Sequence, residues 1–158
     1  MRVAGVSIKS GQVYVAVAEQ ANEPHLLSLP IQPPIRVLAN DGLDQAHRLT
    51  DLADRLQQDF HTHNVERIGL VATRMHANWK YTSAYERVLA ISAVMLAGVE
   101  LDIPYEEIKT ERIGKAVEHP AKDLEHISPT AFGWDSPPKY WTAGGAEAFG
   151  ATVPLLAS

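Results

Sequence analysis

No cysteine occurs anywhere in the chain, which excludes disulfides, thiolate metal sites and cysteine nucleophiles and suits a reducing compartment. No apolar run reaches the length of a membrane span, and the opening MRVAGVSIKSG is too short in apolar residues for a secretory h-region. A soluble, cytoplasmic protein without a membrane segment is the expectation. Basic residues are in the minority: 14 Lys and Arg stand against 19 Asp and Glu, a formal charge of -5. That balance opposes broad attraction to a phosphate backbone, so any contact with nucleic acid must be local. The chain also lacks a Walker-type loop, a dinucleotide fingerprint and a Gly-x-Ser-x-Gly elbow. No cofactor is therefore expected.

What is present is enough for one core. With 158 residues, 46% of them hydrophobic, the chain can bury a substantial interior and is too short to suggest two full domains, so residues 1–158 are read as a single domain. Val3, Gly5 and Ser7 alternate with Ala4, Val6 and Ile8, Ser10-Gly11 makes a turn, and Val13, Val15 and Val17 alternate in their turn. This predicts a hairpin over residues 2–19. A third strand within 25–38 is restricted to an edge by Pro30, Pro33 and Pro34.

Asp41 and Asp44 offer caps to a helix whose apolar set is Leu49, Leu52, Ala53, Leu56 and Phe60. Residues 66–73 then read as a central buried strand. The stretch 82–98 predicts a second helix, apolar almost all round, which must be covered on two sides. A fifth strand is expected over 103–109, followed by a short helix capped by Thr110 and ending before His119-Pro120. The Pro-rich, aromatic segment 120–142 predicts an ordered irregular loop, and residues 143–157 a last helix containing Pro154.

The order hairpin, edge strand, helix, strand, helix, strand, helix, long loop, helix resembles RuvC-type Holliday-junction resolvases and small RuvC-like bacterial proteins. RVAGVSIKSGQVYVAV, TSAYERVLAISAVMLAG with the following VELDIPYEEIKTERIGKAV, and AGGAEAFGATV carry the likeness. The resemblance implies an α/β, ribonuclease H-like fold: a five-stranded mixed sheet flanked by helices. It also implies a nuclease site with an acid on the first strand, a Glu at the end of the fourth, and one or two Asp on the last helix. Such a site needs carboxylates because two divalent cations must be held close together, and neutral oxygens bind them poorly.

Carried onto this chain, those positions fall at Ser7, at Thr73 or Ala72, and at Gly144 and Glu147; only Glu147 keeps a carboxylate. No catalytic residue and no metal ligand is therefore expected. Glu106, Glu107 and Asp135 are the acids from which a relocated site could be built, with solvated surface as the plain alternative. His61-Thr62-His63 has the wrong spacing for one helical face, and a helix C-terminus accounts for it. His25, His47, His119 and His126 give no ligand pattern.

All three tryptophans lie in two segments. Residues 74–81 hold Arg74, His76, Trp79, Lys80 and Tyr81; residues 132–141 hold Trp134, Lys139, Tyr140 and Trp141. In the resembled fold both segments border the nuclease cleft. Aromatics among Arg and Lys can stack bases, anchor a protein partner, or fold back over the core. The reading is a catalytically degenerate RuvC-like protein serving as a binding or assembly subunit of a prokaryotic nucleic-acid-processing or defence complex. It would bind a protein or a structured nucleic acid at the aromatic loops and form a homodimer through helix 82–98. A metal-dependent nuclease with a relocated carboxylate site and a purely structural homodimer are the alternatives.

Overall fold

In a computed structural model that describes residues 1–72 and 80–158, the hairpin forms as its alternation requires. Strand β1 (Arg2–Lys9) runs antiparallel to β2 (Gln12–Glu19) in unbroken register from Arg2 opposite Glu19 to Lys9 opposite Gln12. Both turn residues, Ser10 and Gly11, have positive φ, the two-residue connection that matches strand twist. The edge strand is split in two. β3 (Leu29–Pro30) and β4 (Ile35–Val37) both pair with β2, and Pro33 and Pro34 stand between them, where a donor for a continuous ladder would be needed.

Helix α1 (Gln45–Thr62) is capped by Asp44, whose Oδ1 accepts a hydrogen bond from the His47 backbone N–H at 3.0 Å; Asp41 takes no part in the cap. β5 (Val65–Val71) lies parallel to β1, and β6 (Tyr105–Ile108) parallel to β5. The sheet order is β3-β2-β1-β5-β6, with β4 beside β2. This is the expected mixed sheet, with its fifth position filled by two fragments rather than one strand.

Alternation along the hairpin divides the core. Ala4, Val6, Ile8, Val13, Val15 and Val17 face α1 and α2 (Tyr81–Glu100). Val3, Ala16 and Ala18 face the opposite layer, made of α3 (Thr110–Val117), α4 (Ala146–Ala157) and the segment between them. Lys109, not Thr110, precedes the first turn of α3, and Thr110 is its first residue. The last helix starts later than its composition suggests, because Trp141–Gly145 forms a single wider turn ahead of α4.

The segment 121–145 is ordered by short helical turns and by aromatic packing. Phe132, Trp141 and Phe149 form a three-ring cluster with centroids 5.5–5.9 Å apart, and Trp141 Nε1 donates to the Ile127 carbonyl at 2.8 Å. Helix α2 buries Ala90, Ala93, Val94, Ala97 and Gly98 but leaves Tyr81, Tyr85, Val88, Met95, Leu96 and Val99 exposed. The expected cover on two sides is thus present on one. The chain's own last helix cannot supply the other, since α4 packs on the far face of the sheet. By length and hydropathy α2 would also suffice for a membrane span, but its small-residue face is part of this core.

Helix α4 lies unusually close to the sheet. A Cβ at Gly5 would collide with the backbone carbonyl of Ala148, and one at Gly69, its neighbour across the β1–β5 ladder, would come within 2.8 Å of Leu155. The Gly5 obstacle is backbone and cannot move aside. Gly5→Ala is therefore expected to lower stability by about 2–3 kcal/mol, read as a fall in the urea midpoint without a change in m-value.

Candidate functional site

A cleft of about 1050 Å³ opens at the ends of β1 and β5, between the start of α2 on one side and the 121–125 turn with α4 on the other. β1 brings Ser7 and Lys9 to its floor, and α4, seated close on that strand, brings Glu147. Ser7 is 1% exposed, and its Oγ has no hydrogen-bond partner among the described residues. Glu147 is 5% exposed. Its Oε1 lies 2.8 Å from Lys9 Nζ, but off the direction of a hydrogen bond, so the attraction is one of charge.

Arg87 of α2 reaches across to the end of β1, where its Nη1 donates to the Ile8 carbonyl at 2.6 Å. Burial pushes this guanidinium below its usual range, opposed by the carboxylates of Glu107 and Glu147. Nearby on β6, burial and then the Glu107 charge push the Tyr105 phenol up to about 12, so it stays protonated at neutral pH.

Of the positions where the resembled family places acids, Ser7 and Glu147 do meet in one cleft. Gly144 does not join them as a ligand position, since a side chain there would strike the Tyr14 ring. Thr73 lies outside the described residues, as do Arg74, His76 and Trp79. A pair of divalent cations does not fit this donor set. Among the described residues its floor offers one neutral hydroxyl and one carboxylate, which already faces an ammonium, and the other acids of the lining, Glu86 and Glu125, lie against Arg48 and His126. The acids considered for a relocated site are elsewhere. Glu106 is held by Arg112 at 3.4 Å and Arg67 at 3.9 Å, Glu107 is exposed on β6, and Asp135 lies in a separate groove with Trp134.

The aromatic segment before the last helix does not border the cleft. Trp141 is core, 3% exposed, and so is not available as a surface anchor. Trp134 lines the groove with His25, Leu26 and Pro30. Tyr140 packs on Tyr14 at 5.8 Å, with Arg36 and Lys139 over its ring at 4.9 and 5.0 Å. Lys80 is at the cleft, and Tyr81 is exposed at the start of α2.

Two features escaped sequence reasoning. Lys9 was the first; its strand parity puts it on the same face as Ser7 and could have pointed to it. The second is the cluster Asp123, Glu125 and His126 at the cleft rim, whose donor atoms lie within 4.8 Å of one another. Asp-x-Glu-His on a short turn was the available signal. His126 Nδ1 sits 2.6 Å from Asp123 Oδ1, and that hydrogen bond holds the imidazole above its usual range and the carboxyl below. Of the other histidines, His63 at the end of α1 lies 2.9 Å from the Asp59 carbonyl.

This sheet order, with helices on both faces and a cleft at the ends of the two central parallel strands, defines a RuvC-like, ribonuclease H-like fold. The solved structure of RuvC from Thermus thermophilus superposes with a TM-score of 0.74 over 98% of this chain and 95% of that one, at 15% identity. RuvC from T. thermophilus in complex with a Holliday junction substrate superposes with a TM-score of 0.77 over 100% of this chain and 97% of that one, at 16% identity. No family model matches the chain, and no curated protein matches it in sequence.

The charge pairing at the floor can be measured. Lys9→Met leaves a buried carboxylate without its counter-charge and is expected to cost about 1–2 kcal/mol, less than a fully buried pair because Lys9 is half exposed. Adding Glu147→Gln should restore most of that loss in a double-mutant cycle.

Proposed function

We propose that this chain is a catalytically degenerate RuvC-like protein, one folded and soluble unit that acts as a binding or assembly subunit of a prokaryotic nucleic-acid-processing or defence complex. The observation that carries this reading is the Lys9–Glu147 pair beside Ser7. A two-cation mechanism needs anionic oxygens around both ions. Here the sole carboxylate at the floor, among the described residues, is balanced by a tethered cation. The nucleic-acid context is an analogy of fold, supported by the junction complex of T. thermophilus RuvC. Contact with nucleic acid or protein would be local, at the cleft rim near Lys80 and Tyr81 or at the Tyr140 surface with Lys139 and Arg36. A cytoplasmic location accords with the cysteine-free composition.

A homodimer through α2 belongs to the same reading. Tyr81, Tyr85, Val88, Ser92, Met95 and Val99 recur at alternating intervals of four and three residues, the spacing of a coiled-coil seam. Five of these six are exposed apolar or aromatic side chains. The sixth, Ser92, donates its hydroxyl to the Val88 carbonyl at 2.8 Å and so presents little unmet polarity.

The purified protein is expected to leave four-way junctions, duplexes and single strands intact in magnesium or manganese, assayed by gel. Metal-dependent cleavage abolished by Glu147→Ala would overturn the reading. Light scattering at micromolar concentration should give the dimer mass, and Val88→Glu with Met95→Glu should give a folded monomer. A monomeric parent would remove the dimer from the proposal.

A further inference from the structure

We propose that Asp123, Glu125 and His126 form a site for one divalent transition-metal ion of the zinc type, at the rim of the cleft and separate from its floor. Their donor atoms, two carboxylate oxygens and an imidazole nitrogen, lie within 4.8 Å of one another. Zinc holds such donors at about 2.0–2.2 Å, which sets them about 3–3.5 Å apart around the ion. Side chains at the surface need move only a little to close that gap. The charge pair of the floor, Lys9 with Glu147, uses none of them.

The turn that carries these residues is fixed from below. Leu124 and Ile127 are buried in the layer of α3 and α4, and the Ile127 carbonyl accepts the Trp141 indole N–H at 2.8 Å. Anchors at 124 and 127 leave 123, 125 and 126 at the surface. His119, just after α3, holds Asp123 as well: its Nε2 lies 2.9 Å from the Asp123 carbonyl and 3.6 Å from Oδ2. A carbonyl can only accept, so that nitrogen carries the proton. An outer partner of this kind orients a ligating carboxylate, and an ion arriving at donors already gathered loses little of its binding to ordering them.

The charge of the cluster calls for a cation. His126 Nδ1 lies 2.6 Å from Asp123 Oδ1 and 3.7 Å from Glu125 Oε1, and Asp123 first, then Glu125, favour the protonated imidazole. Two carboxylates that hold a proton on this nitrogen also favour a metal ion beside it. Binding exchanges one for the other: the Nδ1–H bond breaks, the proton leaves to solvent, and the nitrogen lone pair goes to the metal. The donor set decides the class of ion. A nitrogen among three donors suits zinc, cobalt or nickel, whereas magnesium and calcium prefer shells made of oxygen alone, with six or more ligands.

The test is calorimetric titration of the EDTA-treated, dialysed protein with zinc chloride, with magnesium chloride as the contrast, and the visible spectrum after adding cobalt. One zinc per chain, little response to magnesium, and the absorption bands of protein-bound cobalt are expected. Asp123→Asn and His126→Ala, both at the surface, should melt as the parent does without metal and bind zinc more than about tenfold more weakly, since even outer partners of ligands are worth that much. Glu147→Gln should bind zinc as the parent does. Affinity should fall on acidification, beginning at a higher pH than for an ordinary imidazole because His126 takes up its proton more readily. Unchanged affinity in both rim variants would overturn the site, as would a response to magnesium equal to that with zinc. No binding of zinc or cobalt would overturn the site and leave the disarmed cleft standing. Zinc binding lost in Glu147→Gln but kept in His126→Ala would place the ion on the floor and overturn both.

Discussion

The seating of α4 on the first strand governs the rest of the molecule, because the distance between that helix and the sheet decides what can meet at the cleft. Gly5 and Gly69, side by side across the β1–β5 ladder, remove the side chains that would otherwise hold the helix away. The approach brings Glu147 down to the level of Ser7 and Lys9. It also lets Phe149 enter the ring cluster with Phe132 and Trp141, which orders a segment of little regular structure. Loss of the close approach would therefore act on packing and on the cleft together.

Much of the fold could be read from periodicity. The two-residue alternation of the hairpin fixed which side chains face which helix layer, and the apolar set of α1 has the spacing of one buried face. Element ends were less legible. The cap of α1 fell to Asp44 alone, and the wide turn before α4 holds Gly144 where only a residue without a side chain fits against Tyr14, a long-range contact without local signature. Trp141 shows the same limit. Its sequence neighbours suit an exposed recognition loop equally well, and only the rings it meets in space make it core.

The cleft itself was half legible. Ser7 and Glu147 could be aligned because each lies on a regular element whose position in the fold is set by chain order. The counter-charge on Glu147 depends on the reach of Lys9 from the end of a strand, and strand parity gives only the face on which Lys9 stands, not its partner. That ammonium changes the chemistry available. A tethered cation neutralises one carboxylate, but it cannot polarise two oxygens across a phosphodiester as a pair of metal ions does.

The broken outer strand has a consequence for how copies of this chain can meet. An exposed sheet edge is a template on which another chain can add a strand, and it invites aggregation unless blunted. Here one edge is cut into fragments of two and three residues around Pro33 and Pro34. The other ends at a four-residue strand bearing Glu106 and Glu107. Neither edge offers a ladder long enough to extend, so growth by strand addition is closed in both directions. Any association of copies would then fall to the helical faces, where a contact between two like surfaces closes on itself and stops at a defined number of copies.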